Sequence, residues 1–239
     1  MADGKNEEST SEDAFSAYAM KMWGHVTGDA NMEARGNLQL AIMRNAFSNY
    51  FLYQPDNQVE PAAFVQNLNS GILFENKIDH ATFFGGQAEF VQGIQMLPIS
   101  PITSYIRQNS FVAHEWATYF QSSIPPNAVP DPATGVIPAF GSYPGGYNCS
   151  SRPGTGRLIN CASPDWKGVL MGNIAQVDPT LAWQFFSDVN FDWNSLSVSG
   201  SRTWYLAYSA AFGGMGTDWG PQQVMQRESR IKSWMKKIW

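Results

Sequence analysis

Near the start of the chain, apolar residues recur at helical spacing. Phe15, Ala19, Met22, Trp23 and Val26 follow the 3.6-residue period, which predicts a helix over residues 9–26. Ala34, Leu38, Ala41, Ile42, Ala46 and Phe47, followed by Tyr50 and Phe51, repeat the pattern and predict a second helix. Thr27-Gly28-Asp29 reads as the turn between them, so the two form a helical hairpin. Further on, "GILFENKIDHATFFGG" (71–86) mixes β-branched and aromatic residues with turn formers and predicts a short strand pair or an ordered loop. Helical patterning returns over residues 87–98, where Pro98 and Pro101 close it, and then over 110–121, 165–176, 180–186 and 201–212. Paired helices with long loops and one short β element predict an all-α domain of helical hairpins.

Two stretches break the pattern. Residues 124–164 hold eight of the 14 prolines and six of the 21 glycines, a long irregular segment within the domain rather than a linker. The last stretch, 214–239, gathers Arg227, Arg230, Lys232, Lys236 and Lys237, five of the 15 basic residues. It reads as a divergent basic tail: a solvated terminal helix or frayed end, with a basic amphipathic helix that meets a membrane or a partner as the alternative. The organisation expected is one domain over 1–213 followed by that tail.

Composition narrows the function classes. A 239-residue chain that is 44% hydrophobic has ample material for a core. It is rich in rings, with 9 Trp, 9 Tyr and 15 Phe, and its 15% of charged residues falls below the roughly 25% usual for soluble domains. Most rings are expected in the core, and those left outside suit stacking against sugars or other flat ligands. A net charge of −5, with no basic face before residue 226, argues against nucleic-acid binding. No apolar run approaches membrane-spanning length and no apolar segment follows Met1, so neither a span nor a signal peptide is expected. Cys149 and Cys161 lie twelve apart, either bonded or as two thiols, and Asn148-Cys149-Ser150 fits the glycosylation pattern. Those secretory features without a leader imply that the natural N-terminus lies further upstream.

The chemistry concentrates in "DGKNEESTSED", residues 3–13. Ser9 with Glu12 three positions on forms a capping box, in which the Ser9 hydroxyl accepts from the Glu12 N–H and the Glu12 carboxylate reaches back to the Ser9 N–H. Glu8 and Glu12, spaced i, i+4, would project from one helical face with about 5–6 Å between β-carbons. Paired carboxylates at that distance point to glycoside hydrolysis. Two groups on one turn approach a sugar from the same side, so they supply a base and its helper, and the general acid must come from elsewhere. His25, His80 and His114 have no metal-ligand spacing, and no G-x-S-x-G elbow occurs, so neither a zinc site nor a serine hydrolase is expected.

"DGKNEESTSED", "AYAMKMWG", "GILFENKIDHATFFG", "EFVQGIQMLPISPITSYI", "NIAQVDPTLAWQFF" and "GSRTWYLA" occur in that order from Asp3 to about Ala211. Together they resemble the successive motifs of glycoside hydrolase family 81, the endo-β-1,3-glucanases. The resemblance implies an inverting hydrolase whose catalytic domain is an (α/α)6 toroid, of which this chain would be the C-terminal part. It implies Glu12 as the general base that activates water, Glu8 assisting, β-1,3-glucan as substrate, no cofactor, and an extracellular or cell-wall location. Asp79 and Lys77, with Glu75, are expected to reach glucosyl hydroxyls from a loop at the cleft rim, and Glu89, Gln92 and Gln95 to line the cleft. The sequence departs from the pattern at Phe83, where many members carry Trp, and at Gln92 and Gln95, where histidine is frequent. The aspartate motif that supplies the family's acid is absent from the 239 residues. That absence leaves as alternatives a glucan-binding piece without turnover and a non-functional fragment.

Overall fold

The computed structural model of the chain describes residues 4–120, 159, 162–198 and 200–215. Cys149, Cys161, the Asn148 pattern, most of the 124–164 segment and the tail beyond residue 215 lie outside the described residues. What is described is all-α, apart from one small sheet.

Two long helices, α1 (Thr10–Thr27) and α2 (Ala30–Tyr50), form the expected hairpin. Ser9 caps α1, its hydroxyl accepting from the Glu12 N–H at 3.3 Å. The chain leaves α1 through Gly28, whose φ of 75° is the left-handed cap that glycine adopts without strain. Asp29 then caps α2 by accepting from the N–H groups of Asn31 and Met32. The buried face of the hairpin keeps Phe47 and Phe51 of the apolar stripe but departs from much of the rest. On α1 the buried residues of the helix body are Ala14, Ala17, Tyr18, Lys21 and Gly24, whereas Phe15, Trp23 and Val26 are exposed. On α2 they are Gly36, Leu40 and Phe47, whereas Leu38 and Ile42 are exposed. The reason is how closely the helices approach: a Cβ on Gly24 would stand 2.3 Å from the Glu33 backbone nitrogen, and one on Gly36 would stand 2.5 Å from that of Lys21. Small residues, not large apolar ones, make that contact.

The sheet has three short antiparallel strands in the order β1 (Asn6–Glu7), β2 (Ile72–Phe74) and β3 (Ile78–Asp79). Glu7 stands opposite Leu73, which stands opposite Ile78. The β2–β3 pair is the expected hairpin, and β1 is an addition that ties the acidic segment to it. Between α2 and the sheet lies a short helix, α3 (Ala62–Val65).

The helix expected over 87–98 is α4 (Ala88–Gly93), continued by a 3-10 turn at Ile94–Met96. Next come α5 (Thr103–Ile106) and α6 (Asn109–Glu115), the latter running into a π-helical turn at Trp116–Phe120. After the undescribed stretch, a 3-10 turn at Pro164–Trp166 leads into α7 (Lys167–Ile174), followed by α8 (Pro179–Ser187) and α9 (Arg202–Ala211). Helix α7 is buried nearly all round, as a helix with a continuous apolar surface must be. Its Gly172 admits the Tyr205 ring, which stacks on Phe186 with centroids 4.5 Å apart. Ile99, Ile102, Ile106, Phe111 and Val112 complete the core beneath the acidic N-terminal segment.

Candidate active site

The stretch Glu8-Ser9-Thr10-Ser11-Glu12 divides its side chains by chemistry. The three hydroxyls turn inward and are buried. Ser9 donates to the Ile94 carbonyl at 3.0 Å, Ser11 donates to the Leu97 carbonyl, and Thr10 donates to Gln95 Oε1 at 2.8 Å. These bonds end on the 3-10 turn that continues α4, so the start of α1 is fastened from below. The two glutamates are left at the lip, Glu8 half-buried and Glu12 exposed.

Glu8 is not on the helix. It precedes the cap, directly after β1, so the pair flanks a capped N-terminus rather than sharing a helical turn. They are still close enough to interact: the carboxyl of Glu8 is raised above its ordinary value, by burial first and by the Glu12 charge second. Glu8 Oε2 is buried and has no hydrogen-bond partner among the described residues. An oxygen in that position disfavours the ionised form, so Glu8 is the member of the pair held toward neutrality.

The capping box is only half formed by Glu12. The Ser9 N–H donates not to Glu12 but to Glu7 Oε1, at 3.1 Å. Glu7 is bonded in turn to the Asp13 carboxyl, and its own carboxyl is pushed up to about 7 by burial, by that bond and by the Asp13 charge. Two carboxyls in contact hold a proton between them. Spacing did not reveal this second pair; Glu7 and Asp13 flank the motif at i, i+6, and only the extended backbone before the helix brings them together.

The remaining expected residues separate into two groups. Asp79 and Lys77 are exposed, Asp79 on β3 and Lys77 in the β2–β3 turn with its ammonium 4.9 Å from the Phe74 ring centroid. Glu75 beside them is exposed as well. Phe83 and Phe84 stand out from the following turn, 68% and 57% exposed, and Phe84 abuts the buried Trp166 ring. By contrast Glu89, Gln92 and Gln95 are all buried. Glu89 accepts from the Ser163 N–H at 3.2 Å. Gln92 donates to the Asn67 carbonyl and accepts from Asn69. Gln95 donates to the carbonyls of Glu8 and Gly71 and accepts twice from Thr10. Helical spacing puts these three on α4 and its extension, but that face turns into the protein, so they build the floor of the site and offer a ligand no exposed polar atom.

Beneath the floor lies a buried ion pair. Arg107 Nη2 meets Glu115 Oε2 at 2.5 Å, and Asn173 bridges them, accepting from Arg107 Nε and donating to Glu115. Burial raises the Glu115 carboxyl more than Arg107 lowers it. Among the described residues, no group of three or more His, Cys, Asp and Glu is placed to hold a metal ion, and no helix is long and apolar enough to cross a membrane.

Two neighbouring carboxylates above buried polar side chains, with exposed aromatic rings on the same all-α scaffold, are features suited to contact with a sugar. The chain belongs to the family described as the glycosyl hydrolase family 81 C-terminal domain, which it matches over residues 1–142 and 155–206. It is 43% identical over 209 residues to a glucan endo-1,3-beta-D-glucosidase of Arthroderma benhamiae, an alignment covering 87% of this chain and 20% of that protein. To glucan endo-1,3-beta-D-glucosidase 2 of Saccharomyces cerevisiae it is 41% identical, over 88% of this chain and 22% of the relative. To the primary septum glucan endo-1,3-beta-D-glucosidase of Schizosaccharomyces pombe it is 38% identical, over 87% of this chain and 17% of the relative. The chain thus spans about a fifth of the length of these relatives. A solved glycoside hydrolase family 81 structure from Clostridium thermocellum aligns with a TM-score of 0.57 and 16% identity, over 90% of this chain and 24% of that one. The shared fold is all-α, as the helical hairpins predict, and toroid-like, as the family resemblance implies.

Proposed function

We propose that this chain carries the water-activating side of an endo-β-1,3-glucanase that acts with inversion. The observation that supports the reading is the division of labour at the lip. Glu8, held toward its neutral form, stands beside an exposed Glu12, on a backbone fastened by three buried hydroxyls. Glu12 takes a proton from water as that water attacks the anomeric carbon, and Glu8 assists from the same side. An aspartic acid across the glycosidic bond protonates the departing oxygen; in inverting enzymes the two carboxyl groups stand about 6.5–9.5 Å apart. Asp79 and Lys77 contact glucosyl hydroxyls at the rim. The names of the relatives, all glucan endo-1,3-beta-D-glucosidases, support β-1,3-glucan as the polymer, and the septum in one of those names supports action at the cell wall or outside the cell.

The test is release of reducing ends from a linear β-1,3-glucan by this chain combined with the side of the site that bears the aspartic acid; alone, the chain should release little or none. Turnover should fall by about 10²-fold or more in Glu12→Gln, since general base catalysis contributes 10²–10⁴-fold. Release undiminished by that substitution would remove Glu12 from the reaction. A second reading is binding without hydrolysis, favoured by the exposed Phe83 and Phe84 rings. Retention of the chain on insoluble β-1,3-glucan, without reducing-end release even in that combination and with loss of retention in Phe83→Ala, would select it.

A further inference from the structure

The buried ion pair and the acidic lip are joined through one residue, Gln95. Arg107, fixed by Glu115 and Asn173, donates through Nη1 to the Gln95 carbonyl at 3.2 Å. The Gln95 amide then uses both of its N–H groups and both oxygen lone pairs. Nε2 donates to the Glu8 carbonyl at 2.9 Å and to the Gly71 carbonyl at 3.2 Å. Oε1 accepts from the Thr10 N–H at 3.0 Å and from its hydroxyl at 2.8 Å. Carbonyls on one side and donors on the other leave a single orientation for the amide. Glu8 and Thr10 are the residues on either side of the cap Ser9, so Gln95 grips the chain between the two carboxylates from both directions. With its hydrogen-bonding capacity spent, it has nothing to offer a sugar.

We infer that Gln95 is a positioning residue for the Glu8 and Glu12 pair, fixing their backbone against the Arg107–Glu115–Asn173 cluster. The catalytic part of this assignment rests on the reading of Glu12 as base; the geometric part does not. Glu8 keeps its carboxyl half-buried because its carbonyl is drawn inward by Gln95. When that bond is lost the carboxyl turns to water, and the burial that raises its titration is relieved.

Two readouts separate the inference from the function. The first is carboxyl NMR titration of Glu8 in the full chain, which needs no turnover. Gln95→Met, matched in length but without polar atoms, should move the Glu8 titration down toward the ordinary glutamate range. Thr10→Val, which removes only the hydroxyl donor and keeps the chain foldable, should move it the same way by less. Tyr119→Phe removes another hydrogen bond, to the Asn67 carbonyl at 3.0 Å and remote from the acidic segment, and should leave Glu8 in place. The second readout is glucan hydrolysis. Gln95→Met should lower kcat about 10- to 100-fold with KM within about twofold, the signature of misplaced groups rather than lost substrate contacts. In Gln95→Glu, the protonated acid retains one donor and one acceptor, so its deficit relative to wild type should shrink as pH falls. An unchanged Glu8 titration in both Gln95→Met and Thr10→Val, or an equal shift in Tyr119→Phe, overturns the inference whatever the activity. A rise in KM alone, with the Glu8 titration unmoved, makes Gln95 a substrate contact instead. If Glu12→Gln leaves hydrolysis undiminished, the functional reading fails while the titration still decides the role of Gln95.

Discussion

Burial, the bond to Asp13 and the Asp13 charge together hold a proton on Glu7 up to about pH 7. In the unfolded chain that proton leaves near the ordinary value of 4.5. The sign of the linkage follows: a carboxyl raised on folding stabilises fully below 4.5, and that contribution is lost as pH rises through about 7. Stability attributable to this pair should therefore decline between about pH 4.5 and 7, opposite to the usual behaviour of salt-bridged carboxylates. Glu7→Gln keeps an acceptor for the Ser9 N–H and can donate to Asp13 without titrating. Urea midpoints at pH 5 and pH 8 should fall with pH for the wild type and fall less for the variant, in which Glu8 and Glu115 still titrate and which should be the more stable of the two at pH 8. A wild-type midpoint that rises over that interval, and does so equally in the variant, would show that Glu7 does not hold the proton. The same residue explains why the cap is sturdier than a lone serine: Glu7 occupies the place in the box that Glu12 vacates by turning outward.

At the level of elements, the contact between α1 and α2 is set by Gly24 and Gly36 rather than by the large apolar side chains that define the periodicity. A methyl group on Gly36 would lie 2.5 Å from the Lys21 backbone nitrogen, and backbone cannot move aside as a flexible side chain can. Gly36→Ala should cost about 1–3 kcal/mol despite the better helix propensity of alanine, read as a lower urea midpoint with the slope unchanged. Gly28→Ala offers a contrast: nothing stands within 4 Å of the added carbon, so its cost comes from the left-handed φ alone. What was legible in the sequence follows from local physics. The cap at Ser9, the turn at Thr27-Gly28-Asp29 and the prolines that end the helix near residue 98 are all written within a few positions of where they act. The buried face of the hairpin was not legible, because Phe15 and Trp23 share the period of Ala17 and Gly24, and periodicity does not say which side meets a partner. Strand β1 was equally hidden: two residues, Asn6 and Glu7, become a strand only because Leu73 and Phe74 lie opposite. Spacing paired Glu8 with Glu12 but put Glu8 on the helix, whereas it precedes the cap, and the burial of Gln95, expected to line the cleft, depended on which way α4 turns, which is settled by tertiary packing.

Across the whole molecule, both helices of the hairpin expose large apolar side chains. Trp23 is 63% exposed, Val26 69%, Leu38 62% and Ile42 59%. Scattered apolar residues are ordinary on a protein surface, and these four are the large ones that the two packed helices leave most exposed. The core does not depend on them: Ala14, Ala17, Tyr18, Leu40 and Phe47 supply the buried side of the same helices. Surface and stability should therefore separate experimentally. In Trp23→Ser with Ile42→Ser, the melting temperature should stay within a few degrees of wild type, because substitutions at exposed positions usually change stability by no more than about 0.5 kcal/mol. Concentration-dependent self-association, measured by sedimentation velocity, should weaken in the same variant. A collapse of the melting temperature would mean that these side chains carry core packing. An unchanged association would place the contact elsewhere, with the Phe83 and Phe84 turn as the next surface to substitute. A hairpin whose buried side is supplied by Ala14, Ala17, Tyr18, Leu40 and Phe47 can present other large apolar residues outward without losing the fastening of Glu8 and Glu12.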